Sequence, residues 1–309
     1  MRFPIQIFRT VPTFNFIGHR KAGFVLSFLL MGLTAWSLAT QGLNFGIDFT
    51  GGVVMEVRTD DTADVAKMRA LLEAPGTENA SLQSIGDGHE VLIRLKPEGA
   101  TKQSEVAQTV RERLNDGYGA KVDYLRVDYV GPQVGGELIR GSILALVAAM
   151  GAMMLYLWFR FEWQFGLGGI LALTHDAILT FGFYSITQLE FNLTSVAAIL
   201  TIIGYSINDS VVIYDRVREN LRKFKVRPLP DVLNLSINET LARTFLTGGT
   251  VLCALIGLIG FGGDVLFGFS AAMAVGIVIG TFSSIYVSAT VLIYMDLRRE
   301  NLTAEPVKA

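Results

Sequence analysis

AGFVLSFLLMGLTAWSLA, Ala22–Ala39, decides the fold: it carries no charged side chain from end to end. At 1.5 Å per residue a helix of this length is about 27 Å long, close to the ~30 Å hydrocarbon core of a bilayer. The run begins only after His19-Arg20-Lys21, so it reads as a retained span rather than a cleaved signal peptide. Five further runs repeat the pattern at Gly141–Phe159, Trp163–Thr187, Phe191–Tyr214, Thr244–Gly262 and Phe267–Met295. Lipid leaves open backbone groups unsatisfied, so all six are expected to be helical. Composition agrees: 17% of the 309 residues are charged, against roughly a quarter in a soluble domain. A net charge of −2 gives no footprint for a nucleic-acid partner. Cys253 is the sole cysteine, which excludes an internal disulfide, and no metal-ligand spacing occurs. It is expected to be a small buried hydrophobe.

The basic residues set the orientation. Arg2, Arg9, Arg20 and Lys21 precede the first span. Arg216, Arg218, Arg222, Lys223, Lys225 and Arg227 separate the fourth from the fifth, and Arg298, Arg299 and Lys308 follow the sixth. The opposite short loops, Gln188–Glu190 and Gly263–Leu266, have no Lys or Arg. Both termini are therefore expected in the cytoplasm. The expected layout is residues 1–40 for the N-terminus and first span and 41–136 for an extracytoplasmic domain. Residues 137–297 hold spans two to six with a cytoplasmic loop at 215–242, and 298–309 form a cytoplasmic tail.

Residues 41–136 have the pattern of a domain. Val53–Arg58 alternates as a strand, and Val65, Met68 and Leu72 recur at helical spacing. Ser81–Ile85 is a short strand candidate. After the turn signal Gly86-Asp87-Gly88, His89–Lys96 alternates again. Val106, Val110 and Leu114 mark a second helix ended by Asn115-Asp116-Gly117, and Lys121–Val130 is a last strand. The order β-α-β-β-α-β predicts a small α+β, ferredoxin-like domain between spans one and two. In the cytoplasmic loop, Pro228–Ala242 reads either as a short helix on the membrane surface or as a connector into the fifth span.

Polar groups inside spans are expensive and need a reason. Asp209, beside Asn208, lies about 10 Å from the middle of the fourth span, inside the hydrocarbon core, with Tyr205 and Ser206 on its face. Burial pushes a carboxylate toward its neutral form and a nearby cation pushes it back, so Asp209 is a proton-carrying candidate. Helix-to-helix glue is the plainer alternative. Arg243 opens the fifth span, with Thr247 and Thr250 continuing its face. It either reaches inward toward Asp209 or snorkels to lipid phosphates. His175-Asp176 sits mid-way along the third span, and adjacent helical residues point about 100° apart. One lines a cavity while the other braces it, or the two form a satisfied structural pair.

Asn44–Gly52 joins the first span to the outer domain. Gly46, Gly51 and Gly52 permit tight geometry there and Asp48 caps or braces the turn, which favours a structural joint over a binding site. In the sixth span Ala272, Gly276, Gly280, Ser284 and Ser288 recur every four residues, a close-packing seam within the chain or toward a partner. There is no P-loop, nucleophile elbow or HExxH, so no enzyme and no cofactor is expected, and energy must come from ions or a partner.

These motifs together resemble one family. Gly46-Ile47-Asp48-Phe49-Thr50-Gly51-Gly52 resembles the glycine-glycine signature shared by SecD and SecF. Ile203–Val212 with Tyr214–Asn220, Ala242-Arg243-Thr244 with Thr247 and Thr250, Leu173–Asp176 and Gly280–Tyr286 resemble SecF. The resemblance runs from the first span to the sixth. It implies half of a twelve-helix, RND-like bundle in the bacterial inner membrane, completed by SecD. It further implies work with the SecYEG translocon and YajC on an unfolded preprotein, using the proton motive force late in export. Asp209 and Arg243 match the family's proton-pathway residues; the resemblance leaves Asp176 open. A passive translocon scaffold or chaperone, and half of a small-molecule RND exporter, are the alternatives. An outer segment of about 95 residues is small for the latter.

Overall fold

The structure is a computed structural model that describes residues 11–77, 80–85, 88–95 and 103–295. Arg2, Arg9, Gly86, Asp87, Lys96, Arg298, Arg299 and Lys308, which entered the expectations above, lie outside the described residues.

Among the described residues, six helices are long and apolar enough to cross a membrane. They are α1 (Arg20–Thr40), α5 (Pro132–Arg160), α6 (Trp163–Thr187), α7 (Leu193–Lys223) and α8 (Leu229–Phe261). The sixth runs as α9 (Gly263–Ser283), a π-helical turn (Ser284–Ser288) and α10 (Ala289–Tyr294). Local chemistry sets their ends. Pro132 starts α5 where a missing N–H is harmless. Gln188, in the left-handed region at φ 54°, stops α6. Asn192 and Ser195 form a reciprocal capping box on α7, at 3.1 and 3.2 Å.

α6 and α7 are the most enclosed spans, while α5 presents almost all of its surface outward. The bundle core gathers Leu157, Phe165, Leu173, Tyr184, Ile199, Ile202, Ile203 and Tyr214. The apolar runs mark the bilayer segments, but α5, α7 and α8 extend beyond them. In the stretch Pro228–Ala242, Pro228 is the N-cap of α8 and the rest is its first part, continuous with the span, which favours the connector over a separate surface helix. Val232, Leu233, Ile237 and Leu241 are buried in the bundle core, so this stretch is anchored by protein rather than lipid. Cys253 corrects a second expectation: it is exposed on α8 together with Ala254, while Val251, Leu252 and Leu255 face the core.

The domain between α1 and α5 contains β1 (Gly52–Thr59), α3 (Val65–Leu72), β2 (Ser81–Ile85), β3 (Glu90–Leu95), α4 (Gln103–Gly117) and β4 (Val122–Val130). Its sheet has the order β2-β3-β1-β4 with every pair antiparallel, and a bulge falls between Glu56 and Val57. Val53, Met55, Val57, Val91, Ile93 and Leu95 alternate onto one face, against Met68 and Leu72 of α3 and Val106, Val110 and Leu114 of α4. This core is separate from that of the bundle.

Candidate functional site

α7 and α9 pack along the predicted small-residue seam, and the seam is internal to the chain. A side chain on Gly276 would strike Ile202, and a Cβ on Gly280 would lie 3.1 Å from Ser206. One turn further, Ser284 Oγ is 3.0 Å from Ser210 Oγ, and Ser288 Oγ is 2.5 Å from the Tyr214 hydroxyl. The pairs 202/276, 206/280, 210/284 and 214/288 keep a constant offset of 74, so the two helices run parallel.

The seam delivers Ser206 and Ser283 to Asp176, which is fully buried on α6. One carboxylate oxygen accepts from Ser206 at 2.5 Å and from Ser283 at 2.8 Å; the other faces His175 Nδ1 at 3.1 Å. The divergent pointing expected of neighbouring residues does not hold here. The backbone vectors diverge, but the imidazole arm is long enough to fold back onto the carboxylate. His175 Nε2 is buried with no hydrogen-bond partner among the described residues, and the ring stacks on Phe282. Asp176 thus ties three helices at one point.

Asp209 lies three residues beyond Ser206 on α7, 2% exposed, and its Oδ2 is buried with no hydrogen-bond partner among the described residues. Arg243, on the neighbouring α8, is exposed and acts electrostatically on Asp209, with no ion pair within 4.0 Å among the described residues. Thr247 donates back to the carbonyls of Arg243 and Thr244 at 3.0 and 3.2 Å, and Thr250 to that of Thr247 at 2.9 Å. Asn208 faces outward. The structure therefore brings Asp209, Arg243 and Thr247 to one edge between α7 and α8. His175 and Asp176 sit one layer deeper and connect to α7 through Ser206.

The glycine joint is bolted to the bundle. The backbone of Asn44 and Gly46 pairs with Phe191 at 2.7 and 2.9 Å. Asp48 accepts from the N–H of Leu193, the first residue of α7, at 3.0 Å, satisfying an orphan donor of that helix. Gly51 has φ 70° and ψ 160°, a region only glycine enters readily. A Cβ on Gly52 would lie 2.5 Å from the Leu95 carbonyl. Phe45, Phe49 and Phe191 interlock beside it.

Two contacts here had no sequence signal. Arg94, on the open face of the sheet, forms an ion pair with Glu190 in the α6–α7 loop. Burial raises the Glu190 carboxyl above its ordinary range, and Arg94 opposes that shift. Asn234 and Asn238, one turn apart on α8, grip the backbone at Phe14.

With this geometry in place, comparison with known proteins assigns the family. A model described as protein export membrane protein SecD/SecF, C-terminal, matches residues 110–298, and the SecD/SecF GG motif matches residues 36–63. Protein translocase subunit SecF of Rickettsia bellii is 43% identical over 94% of this chain and 96% of its own length. SecF of Pseudomonas aeruginosa is 44% identical, covering 96% of each. The chain belongs to the SecF family of protein translocase subunits. The crystal structure of SecDF from Thermus thermophilus, described as a translocon-associated membrane protein, superposes with a TM-score of 0.82 at 38% identity. The SecF-type chain covers 96% of itself but only 40% of that longer polypeptide. A super-membrane-facing form of SecDF matches with a TM-score of 0.72. In this SecF-family chain, the joint with Asp48 falls in the GG-motif match, and the Asp176, Asp209 and Arg243 layers fall in the C-terminal match.

Proposed function

We propose that this SecF-family subunit, paired with a SecD-type half, uses the proton motive force to assist late export of unfolded proteins through the SecYEG translocon. YajC is a further expected companion. The observation that carries the reading is Asp209: a buried carboxyl with an unpartnered oxygen, one helix away from a guanidinium that does not close on it. An unpaired acceptor in a dry setting is costly when ionised, and protonation removes that cost. Proton uptake at Asp209 weakens its attraction to Arg243 and changes packing between α7 and α8, with Asn208 and Thr247 lining the edge that a second half would cover. The bundle is then one RND-like half of a proton-coupled transport device with no catalytic site. His175 and Asp176 brace the pathway from behind. Gly276, Gly280 and Ser284 fix the packing of the seam, and Gly46, Asp48, Gly51 and Gly52 carry movement to the outer domain.

One charge crossing the membrane is worth about 2.3 kcal/mol per 100 mV. That shifts a two-state equilibrium more than tenfold but falls short of the ~5–15 kcal/mol that holds a domain folded. The device therefore biases a chain that is already unfolded. The sheet order β2-β3-β1-β4 supports reading the outer domain as ferredoxin-like. The basic residues around Arg216–Arg227 support a cytoplasmic placement of that end and of both termini, in the bacterial inner membrane.

Asp209→Asn is expected to abolish gradient-stimulated export in inverted membrane vesicles while the subunit still assembles. Full stimulation in that variant removes Asp209 from the pathway. A passive translocon scaffold is the second reading, favoured by the firm docking of the outer domain on the α6–α7 loop. It predicts export that is indifferent to the gradient in wild type and variant alike.

A further inference from the structure

At the end of the bundle away from the sheet, residues 11–19 fold across the start of α8 and line a half-open cavity of about 380 Å³. Its wall is held by specific bonds. Asn238 accepts from Phe14 N–H at 2.9 Å and donates to the Phe14 carbonyl at 2.8 Å. Asn234 donates to the same carbonyl at 2.9 Å and accepts from Ile17 N–H at 3.2 Å. These amides are occupied by backbone.

Arg20 and Arg227 line the cavity, and neither pairs with a carboxylate within 4.0 Å among the described residues. Arg20 gives Nη1 to the Ile17 carbonyl at 3.1 Å, but its Nε is buried with no partner among the described residues. Arg227 lies over the Phe224 ring. Asp231, in the first turn of α8, is the opposing carboxylate on the wall, leaving two guanidinium groups against one acid. Arg20 is the first residue of α1, two positions before its apolar run, and so sits at the depth of lipid phosphates. Ile17 and Leu235 supply apolar wall beside it. Residues 1–10 contain two arginines and no acid, so they do not supply the missing counter-charge.

We infer that this cavity binds the phosphodiester headgroup of an anionic phospholipid, held by Arg20 and Arg227. Basic pockets at a helix boundary recognise such headgroups by charge and by the forked guanidinium geometry. The site is independent of the proton pathway, and its test does not read export.

The full chain, purified in neutral detergent, is titrated with phosphatidylglycerol or phosphatidylethanolamine, and bound lipid is counted by native mass spectrometry. Phosphatidylglycerol is expected to be retained about tenfold more tightly, and Arg20→Gln and Arg227→Gln each to weaken it about fivefold. Arg222→Gln, on a different rim of the same end, leaves retention unchanged. Arg227 is exposed, so its variant keeps the test valid should Arg20→Gln fold poorly. Equal retention of the two lipids, or unchanged retention in both variants, overturns the assignment. Displacement of the lipid by inorganic phosphate reassigns the site to free phosphate. A gain in retention on removing residues 1–10 shows that the chain's own terminus fills it, and likewise overturns the proposal.

Discussion

A buried acid is defined by what surrounds it, and the two intramembrane aspartates differ in this respect. Asp176 receives two serine hydroxyls and faces an imidazole, whereas Asp209 has an oxygen with no hydrogen-bond partner. The first arrangement holds helices together and the second leaves room for a proton. Asp176→Ala strands the Ser206 hydroxyl and the His175 ring, at about 1–3 kcal/mol for each group left unpaired, while Ser283 keeps the Gly280 carbonyl at 3.1 Å. The variant is expected to melt several degrees lower in detergent, while Asp209→Asn melts near wild type. Equal melting temperatures for Asp176→Ala and wild type would dismiss the tie. That both aspartates matter is legible from the cost of charge in a membrane. Their different surroundings are not, because Ser206 and Ser283 reach Asp176 from 30 and 107 positions away.

Hydropathy locates the spans because each must match a slab of fixed thickness. It goes blind where a helix leaves the slab. α7 continues through Asp215–Lys223 and α8 starts at Leu229, and both stretches are helical because they pack on each other. Asn220 donates to Ser236 and Glu239, and Arg216 pairs with Glu239 at 2.6 Å. The seam of α9 was legible as a period of four, but not its partner, which only the matching Ile202, Ser206, Ser210 and Tyr214 of α7 reveal. Gly280→Val drives a branched side chain into Ser206 and is expected to destabilise the fold by about 1–3 kcal/mol or more. Gly204→Ala, where a Cβ meets open space, is expected to be neutral in the same melting assay.

Across the whole molecule, the outer domain and the bundle are joined through the glycine segment, Asp48 and the Arg94–Glu190 pair. The Glu190 carboxyl titrates above its ordinary value, so the folded, docked state holds that proton more tightly than the unfolded chain does. Its contribution is complete below the ordinary glutamate range and declines as pH rises through the elevated value. Glu190→Gln is expected to erase this step from a plot of melting temperature against pH, and Arg94→Ala to move it to higher pH. A step that persists in Glu190→Gln belongs to another group. The domain itself was legible as alternating strands and two amphipathic helices. Its docking was not, since α4, β4, α5 and α6 all lie between Arg94 and Glu190 in the chain and neither residue carries a local pattern.

The even spacing along α7 and α9 has one more implication. A seam whose contacts recur every four residues offers similar small residues again after sliding by four positions, about 6 Å: Ser206 would then meet Ser284, and Ser210 would meet Ser288. The serine and glycine contacts taken alone accept both alignments, as a vernier does. Asp176 breaks the tie, because its carboxylate reaches Ser206 and Ser283 together in only one of them.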